Sequence, residues 1–299
     1  MEATNELYGF VILHYLAYDM TCTCVDRVLS LFPHGQLKIV IVDNASPNGS
    51  GAALQQRYAG EPCVHVLLNG CNEGFARGNN AGYVWLRDNC SPAFIIVMNN
   101  DVLVQQASFL QTISALYERT HFAVLGPDIR NPVTGVRQNP RYASDATYLR
   151  GQREEDVRQM NLWNRHILKC FPYYYLRHTL FGWVRRFFPK KGHGTSVSVD
   201  EELEGVVLHG ACYVFSACFM KKRPLAFNPA TFLYFEEDIL HLECMRAGLK
   251  MLYSPALQVQ HLEDVSTDMM HSSAYRKEKR KTEEVVKSSD VFLRLCREG

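Results

Sequence analysis

The chain has 299 residues, of which 47% are hydrophobic and 21% are charged, and its 32 basic and 31 acidic side chains leave a net charge of +1. This composition is ordinary for a globular protein with one large domain or two small ones. The near-zero net charge gives no indication of a nucleic-acid-binding protein or of a strongly acidic substrate.

The ten cysteines form no CxxC pair and show no zinc-finger spacing. This pattern favours free thiols in a reducing compartment such as the cytosol. The first residues, MEATNE, are acidic where a signal peptide would be basic, and no apolar run approaches the roughly 20 residues that span a bilayer. The sequence therefore predicts a cytoplasmic protein without a transmembrane segment.

Short apolar and β-branched runs in the first half of the chain predict four strands, at Gly9 to Leu13, Leu37 to Val42, Val64 to Leu68 and Phe94 to Met98. Helical spacing of apolar residues predicts helices at Thr21 to Leu31 and Ala107 to Arg119. Alternation of strands and helices is typical of βαβ units with a mostly parallel sheet. The first half is therefore predicted to be an α/β unit.

The composition changes between Val157 and Val199, where there is no Asp or Glu and basic residues alternate with aromatic ones. After this stretch the sequence predicts a strand at Ala211 to Ser216, a helix at Glu237 to Gly248 and a charged surface helix at Tyr275 to Arg297. The predicted organisation is an α/β half at 1–141, a basic aromatic helical insert at 142–204 and a second half at 205–299.

The second predicted strand ends in IVDNAS, which places Asp43, Asn44 and Ser46 directly after it. In an open α/β sheet, ligands bind beyond the carboxyl ends of the strands, and an Asp there suits a hydrogen bond to a ribose or a base. The alternative is a turn and helix cap, which the same residue types favour.

The fourth predicted strand ends in FIIVMNNDV, so Asn99, Asn100 and Asp101 emerge at the same edge of the sheet. Carboxylate and amide oxygens are ligands for Mg²⁺ or Mn²⁺. A metal ion at this place would neutralise charge on a leaving diphosphate. A simple turn is again the alternative.

Glycines recur every four residues in NEGFARGNNAG at 72–82, which is neither a GxGxxG motif nor a phosphate-binding P-loop. Glycine permits close backbone approach to a ligand, and Arg77 could contact a phosphate. The alternative is a helix that packs closely against the sheet.

Three acids, Glu236, Glu237 and Asp238, begin a predicted helix and follow aromatic residues. Aromatic neighbours would partly exclude water and raise a carboxylate's affinity for a proton, as a general base requires. Favourable interaction with the helix dipole is the alternative explanation. Further on, His261 follows an apolar run, where it could complete a metal site with Asp101 or serve only as a core or surface residue.

Seven segments occur in order along the chain: VILHYLAYDMTCTCVDRVL, IVDNAS, NEGFARGNNAGY, NNDV, GACYVFS, FLYFEEDIL and SPALQVQHLEDVS. Together they resemble the family 2 glycosyltransferases of the GT-A fold, especially the bacterial rhamnosyltransferase-like enzymes of capsule and O-antigen synthesis. The resemblance covers nearly the whole chain outside 142–204. It implies a Rossmann-like, mostly parallel central sheet flanked by helices.

The resemblance implies inverting transfer of a sugar from a UDP-, dTDP- or GDP-sugar to a hydroxyl of a glycan or a polyprenyl-diphosphate-linked acceptor. It implies Asp101 and His261 as ligands of Mg²⁺ or Mn²⁺, and Asp238 as the catalytic base with Glu237 as the next candidate. The donor-binding candidates are Asp43, Asn44, Ser46, Arg77, Asn80, Asn99 and Asn100. Asn99 departs from the pattern, because many members have an acid at this position.

Two other functions compete with glycosyl transfer. A sugar-nucleotide nucleotidyltransferase would need a glycine-rich basic loop near the first strand, and Leu13 to Cys24 contains no Gly, Lys or Arg. A non-catalytic nucleotide-sugar-binding subunit of a polysaccharide assembly complex fits Asn99 but leaves the acids at 236–238 unexplained.

The basic aromatic stretch from Leu162 to Lys191 has the composition of a segment that lies in a membrane interface. We therefore expect the protein to dock on the cytoplasmic face of the bacterial inner membrane. The alternative is a solvated helical hairpin that packs on its own aromatic residues.

Overall fold

The computed structural model describes residues 6–141, 153–176, 200–262 and 274–298. The first half contains β1 (Tyr8–His14), α1 (Tyr18–Leu31), β2 (Leu37–Asp43), α2 (Ser50–Arg57), β3 (Val64–Leu68), α3 (Gly74–Cys90), β4 (Phe94–Asn99), β5 (Val102–Val104), α4 (Phe109–Thr120) and β6 (Val124–Arg130). The second half contains α5 (Arg153–Lys169), β7 (Leu203–Glu204), β8 (Cys212–Ser216), α6 (Ala217–Lys222), α7 (Glu236–Arg246), β9 (Met251–His261) and α8 (Ala274–Arg297).

All the strands and helices that the sequence predicts are confirmed, with small differences at their ends. Helix α1, for example, begins at Tyr18 instead of Thr21, and α7 begins at Glu236 and ends at Arg246. The short strands β5 and β7 were not predicted, because two or three residues are too few to show the alternation of a strand.

The strands form one sheet in the order β3-β2-β1-β4-β8-β6-β9-β5, and β7 pairs with β9. The pairs β1–β2, β1–β4, β2–β3 and β6–β9 are parallel, whereas β8 pairs antiparallel with both β4 and β6. The α/β prediction with a mostly parallel central sheet is therefore confirmed. Because β4 pairs with β8, the two halves of the chain share this sheet.

A hydrophobic core covers each face of the sheet. Helices α1 and α4 pack on one face, and α3, α6 and α7 contribute to the core on the other. Helix α3 lies very close to the strands: a Cβ atom on Gly78 would be 2.6 Å from Leu13, and one on Gly82 would be 2.6 Å from Val11. Gly78 and Gly82 therefore serve helix packing, one of the two alternatives that the sequence left open.

A third, smaller core joins α5, α7 and α8 through Val157, Phe235, Ile239, Phe292 and Leu293. Of the predicted insert, the structure describes α5, a helical turn at 171–176 and the residues from 200 onward, whereas 142–152 and 177–199 lie outside the described residues. None of the described helices is long and apolar enough to cross a bilayer. The division into three segments stays a prediction.

Candidate active site

The strand register aligns the ends of β1, β2 and β4 at one edge of the sheet. His14 lies opposite Asp43, and Leu13 lies opposite Asn99. Asp101 follows in the turn between β4 and β5. The structure thus brings the two predicted strand-end motifs to the same carboxyl edge, where ligands bind in sheets of this type.

Asp43 is buried and held in one position. The backbone N–H of Ser46 donates to both of its carboxylate oxygens, at 3.2 and 3.3 Å, and the Ser46 hydroxyl accepts a hydrogen bond from the N–H of Leu16 at 2.9 Å. A Cβ atom on Gly51 would lie only 2.2 Å from Oδ2 of Asp43. Close packing on this side therefore fixes the direction of the carboxylate.

His14 lies fully buried beside Asp43, with its Nε2 atom 3.9 Å from Oδ1 of that residue. Its two ring nitrogens form hydrogen bonds with the hydroxyls of Thr21 and Ser50, both at 2.7 Å. Burial lowers the pKa of His14, and the nearby charge of Asp43 opposes this shift only in part. The Thr21 hydroxyl also accepts a hydrogen bond from the amide of Asn100 at 2.9 Å, so this buried network links β1, α1 and the end of β4.

Asn44 uses its side-chain amide to hold the loop before α3. Its Oδ1 atom accepts hydrogen bonds from the side chain of Asn69 and the N–H of Glu73, and its Nδ2 atom donates to Asn72 and to the carbonyl of Gly74, all at 3.0 to 3.1 Å. To contact a nucleotide sugar, this amide would have to give up one of these hydrogen bonds. Asn44 is therefore better suited to shaping the site than to binding a ligand.

Asn80 has a similar structural role. Its amide exchanges two hydrogen bonds with the backbone of Phe227, at 2.8 and 2.9 Å. Arg77 donates from Nε to the carbonyl of Pro229 at 2.8 Å, and its exposed guanidinium lies 3.6 Å from Glu73. Both residues hold α3 to the segment that leads to α7, and only the outer end of Arg77 remains near solvent.

Asp101 and His261 lie together at the end of the sheet because β5 pairs with β9. The Nε2 atom of His261 is 3.3 Å from Oδ1 of Asp101, and this buried oxygen has no hydrogen-bond partner among the described residues. The other ring nitrogen, Nδ1, is 2.8 Å from Oε1 of Gln138.

The oxygen of a glutamine side chain can only accept, so Nδ1 of His261 carries a proton, and in the neutral ring Nε2 presents a lone pair toward Asp101. A lone pair that faces an unsatisfied carboxylate oxygen is the arrangement that a divalent cation would stabilise. The carboxylate oxygen of Asp101 and the ring nitrogen of His261 are therefore suitable ligands for a metal ion.

The three acids of α7 have different environments. Glu237 forms an ion pair with Arg141, in which Nη1 is 2.8 Å from Oε2. Its other oxygen, Oε1, would lie 2.9 Å from a Cβ atom on Gly210. Gly210 therefore allows the Glu237 carboxylate to approach the loop before β8.

Asp238 is 1% exposed and forms a two-point ion pair with Arg153 of α5, at 2.9 and 3.0 Å. Glu236 is also buried, and its burial, with the charge of Glu237, raises its pKa to about 8. Of the three acids, Glu237 alone combines partial exposure with a carboxylate oxygen that has no hydrogen-bond partner among the described residues.

The turn that leads into α7 has an unusual backbone. Tyr234 and Phe235 have φ angles of 74° and 69°, in the left-handed region that residues with side chains rarely adopt. Helix α8 supports this turn, because the ring of Phe292 packs on Phe235 and the Ser288 hydroxyl donates to the carbonyl of Leu233 at 2.7 Å.

Four residues around this site were not predicted from the sequence: Gln138, Asn139, Arg141 and His209. Gln138 contacts His261, Arg141 contacts Glu237, and Asn139 accepts a hydrogen bond from the N–H of His209 at 3.0 Å. The QNPR segment at 138–141 follows β6 and has no regular pattern of its own. No signal in the sequence could have separated it from an ordinary loop.

The comparison with known families decides how the chain is classified. The model of glycosyl transferase family 2 matches residues 10–179, more than half of the chain. The chain belongs to glycosyl transferase family 2. Asp43 and Asp101 lie within the matched residues, whereas His209, Glu237 and His261 follow them.

Individual relatives are distant. The chain is 24% identical over 116 residues to the low-salt glycan biosynthesis hexosyltransferase Agl10 of Haloferax volcanii, a match that covers 39% of this chain and 36% of that protein. The chain thus matches about a third of this curated relative's length.

Two solved structures align over most of the chain. The mannosyltransferase PcManGT from Pyrobaculum calidifontis, in complex with GDP-Man and Mn²⁺, gives a TM-score of 0.55 at 10% identity and covers 97% of this chain and 70% of its own. GalNAc-T7 with UDP, GalNAc and Mn²⁺ gives a TM-score of 0.55 at 12% identity and covers 87% and 44%. These similarities support the GT-A fold of the family 2 member described here.

Proposed function

We propose that this protein is an inverting glycosyltransferase that moves a sugar from a nucleoside diphosphate sugar to an acceptor hydroxyl. One observation is central. The loop at His209 and Gly210 lies next to both groups: the His209 ring is 5.7 Å from that of His261, which pairs with Asp101, and Gly210 packs against the Glu237 carboxylate. A cation-binding pair beside a partly exposed carboxylate is the arrangement that displacement of a diphosphate by a hydroxyl requires.

The donor would bind along the carboxyl edge of the sheet, with its nucleoside near Asp43 and its diphosphate near Asp101. The fixed carboxylate of Asp43 supports this direction, since it can accept hydrogen bonds from a ribose or a base. Asp101 and His261 would hold Mg²⁺ or Mn²⁺, which would neutralise negative charge on the departing diphosphate. Ser46, Asn99 and Asn100 would shape this edge.

We assign the base to Glu237 instead of Asp238, which was the first choice from the sequence. Both oxygens of Asp238 are bound to Arg153 in a buried ion pair, so removal of a proton from an acceptor would require this pair to break. Oε1 of Glu237 is available to accept the acceptor's proton while Arg141 orients the carboxylate through Oε2. The hydroxyl then attacks the anomeric carbon opposite the leaving diphosphate.

The acceptor is proposed to be a glycan or a polyprenyl-diphosphate-linked sugar of bacterial surface polysaccharide synthesis, as in the rhamnosyltransferase-like enzymes. An exposed apolar group on α5 and the following turn supports a position at the membrane: Leu162, Trp163, Tyr173 and Leu176. The ring of Tyr275 packs on Tyr175, so the basic start of α8 lies beside this group.

Basic residues beside exposed aromatic ones match the chemistry of an anionic membrane surface, here the cytoplasmic face of the inner membrane. Sedimentation with vesicles of neutral lipid, with and without anionic lipid, tests this placement. Binding that requires anionic lipid supports it, and no binding to either kind of vesicle refutes it.

The activity itself is tested in two steps. A thermal-shift panel of UDP-, GDP- and dTDP-sugars, each with Mg²⁺ or Mn²⁺, should identify a donor that stabilises the fold. Donor hydrolysis or transfer is then measured with that donor for the wild type and for Glu237→Gln. We expect the substitution to lower kcat by about 10²- to 10⁴-fold with little change in donor affinity.

The competing functions predict different results. A non-catalytic binding subunit would be stabilised by a donor but would show neither hydrolysis nor transfer, with or without metal. A nucleotidyltransferase would instead join a nucleoside triphosphate to a sugar phosphate and release pyrophosphate. Normal turnover by Glu237→Gln would refute the assignment of the base.

A further inference from the structure

His209 lies in the loop before β8, which is next to both groups of residues that the proposed reaction uses. Its ring centroid is 5.7 Å from that of His261, the proposed metal ligand. The next residue, Gly210, is the one against which the Glu237 carboxylate packs. His209 is therefore placed where the departing diphosphate and the transferred sugar would meet.

Hydrogen bonds hold this loop in a defined position. The N–H of His209 donates to Oδ1 of Asn139 at 3.0 Å, and Nδ2 of Asn139 donates to the carbonyl of Pro127 at 2.7 Å. The N–H of Ala211 donates to Nδ1 of the His209 ring at 3.1 Å. The backbone of His209 is thus held through Asn139 to Pro127 of β6. Its ring is held by the N–H of Ala211, just before β8.

The bond from Ala211 also determines which ring nitrogen carries the proton. A peptide N–H can only donate, so Nδ1 of His209 must be the acceptor and the neutral ring carries its proton on Nε2. The Nε2 atom has no hydrogen-bond partner among the described residues. Without a lone pair, this nitrogen cannot bind a metal ion, but it can donate a hydrogen bond to an oxygen.

We propose that His209 is a donor-binding residue whose Nε2–H donates a hydrogen bond to an oxygen at the junction of the sugar and the diphosphate. This inference rests on the proposed function. The neighbouring proposed site residues, Asp101, Glu237 and His261, offer carboxylates or a lone pair, so a fixed N–H group supplies the complementary chemistry. The nucleoside end of the donor would lie nearer Asp43, on β2, and the strand order β2-β1-β4-β8 places His209 toward the other end of the ligand.

The test uses His209→Phe, which keeps a planar ring but has no N–H, and His209→Gln, which keeps a side-chain N–H donor. Binding is measured by calorimetric titration with the nucleotide sugar and Mn²⁺, and in parallel with the nucleoside diphosphate and Mn²⁺. A hydrogen bond to a charged group contributes about 1.5–3 kcal/mol, so His209→Phe should weaken nucleotide-sugar binding by roughly 10- to 150-fold. His209→Gln should recover most of this loss.

His65→Phe is the matched control, because His65 lies on the edge strand β3 with its ring stacked on Trp85 and the substitution keeps that stacking. It should bind the nucleotide sugar as the wild type does. Titration of Mn²⁺ alone gives a second readout, and His209→Phe should leave this affinity unchanged.

Wild-type affinity of His209→Phe for the nucleotide sugar would overturn the inference. A parallel loss of affinity for Mn²⁺ alone would also overturn it, because the ring would then be a metal ligand. If Phe does not fit and the variant unfolds, His209→Ala replaces it in the same comparison. A wild-type protein that binds none of the donors refutes the proposed function itself, which is a separate result.

Discussion

The ion pair between Arg153 and Asp238 leads to a prediction that separates a structural acid, Asp238, from the proposed base, Glu237. The side chains of Arg153 and Asp238 are 11% and 1% exposed, so Asp238→Asn leaves a guanidinium beside a neutral amide in a nearly dry place. Removal of one partner from a buried pair costs about 3–5 kcal/mol. Glu237→Gln removes a pair whose arginine is 36% exposed, and such a pair contributes only about 0–1 kcal/mol.

Urea unfolding followed by far-UV circular dichroism measures both effects at pH 7. We expect Asp238→Asn to lower the free energy of unfolding several times more than Glu237→Gln does. The double variant Arg153→Met with Asp238→Leu serves as a control, since apolar groups of similar volume should recover much of the loss. An unfolding free energy for Asp238→Asn within about 1 kcal/mol of the wild type would show that the pair is not the structural element inferred here.

Two further predictions concern residues beside the site. Burial raises the pKa of Glu236 to about 8, so the folded protein holds this proton more tightly than the unfolded chain, and stability should fall as the pH rises from about 4.5 to 8. Glu236→Gln should remove part of this fall, so the variant's urea midpoint should exceed the wild type's at pH 8 but not at pH 4.5; identical pH dependence would contradict the assignment. Gly51→Ala would place a Cβ atom 2.2 Å from Oδ2 of Asp43 and should weaken nucleotide binding, whereas Gly60→Ala, which has open space, should not; equal thermal shifts with nucleotide in both variants would refute the proposed role of Asp43.

The sheet edge could be predicted from the sequence because its signals are local. Asp43 and Asp101 each follow an apolar run directly, and the carboxyl ends of parallel strands meet at one edge. The meeting of Asp101 with His261 does not follow from this rule, because it depends on the antiparallel pairing of β5 with β9. The sequence could not show that β5 and β9 are neighbours, because β5 has only three residues.

The roles of individual amides and acids could not be predicted, because they depend on partners far away in the chain. Asn80 resembles a ligand-binding residue in a glycine-rich segment, yet its amide is bound to the backbone of Phe227. Glu237 and Asp238 are neighbours in the first turn of α7 and point in different directions. Asp238 is buried in an ion pair with Arg153 of α5, and no local pattern in the sequence contains this information.

The left-handed turn at Tyr234 and Phe235 connects helix α8 to the proposed base. Helix α8 supplies no proposed site residue, but it supports the turn that leads to Glu237. Two such residues cost roughly 1–2 kcal/mol each, and the contacts of α8 with Phe235 and Leu233 offset this cost. If those contacts weaken, the turn can relax and move Glu237, the proposed base, away from Gly210 while the carboxyl edge of the sheet stays intact. Helix α8 is therefore a place where mutation or a bound partner could tune the rate of transfer without changing which donor is bound.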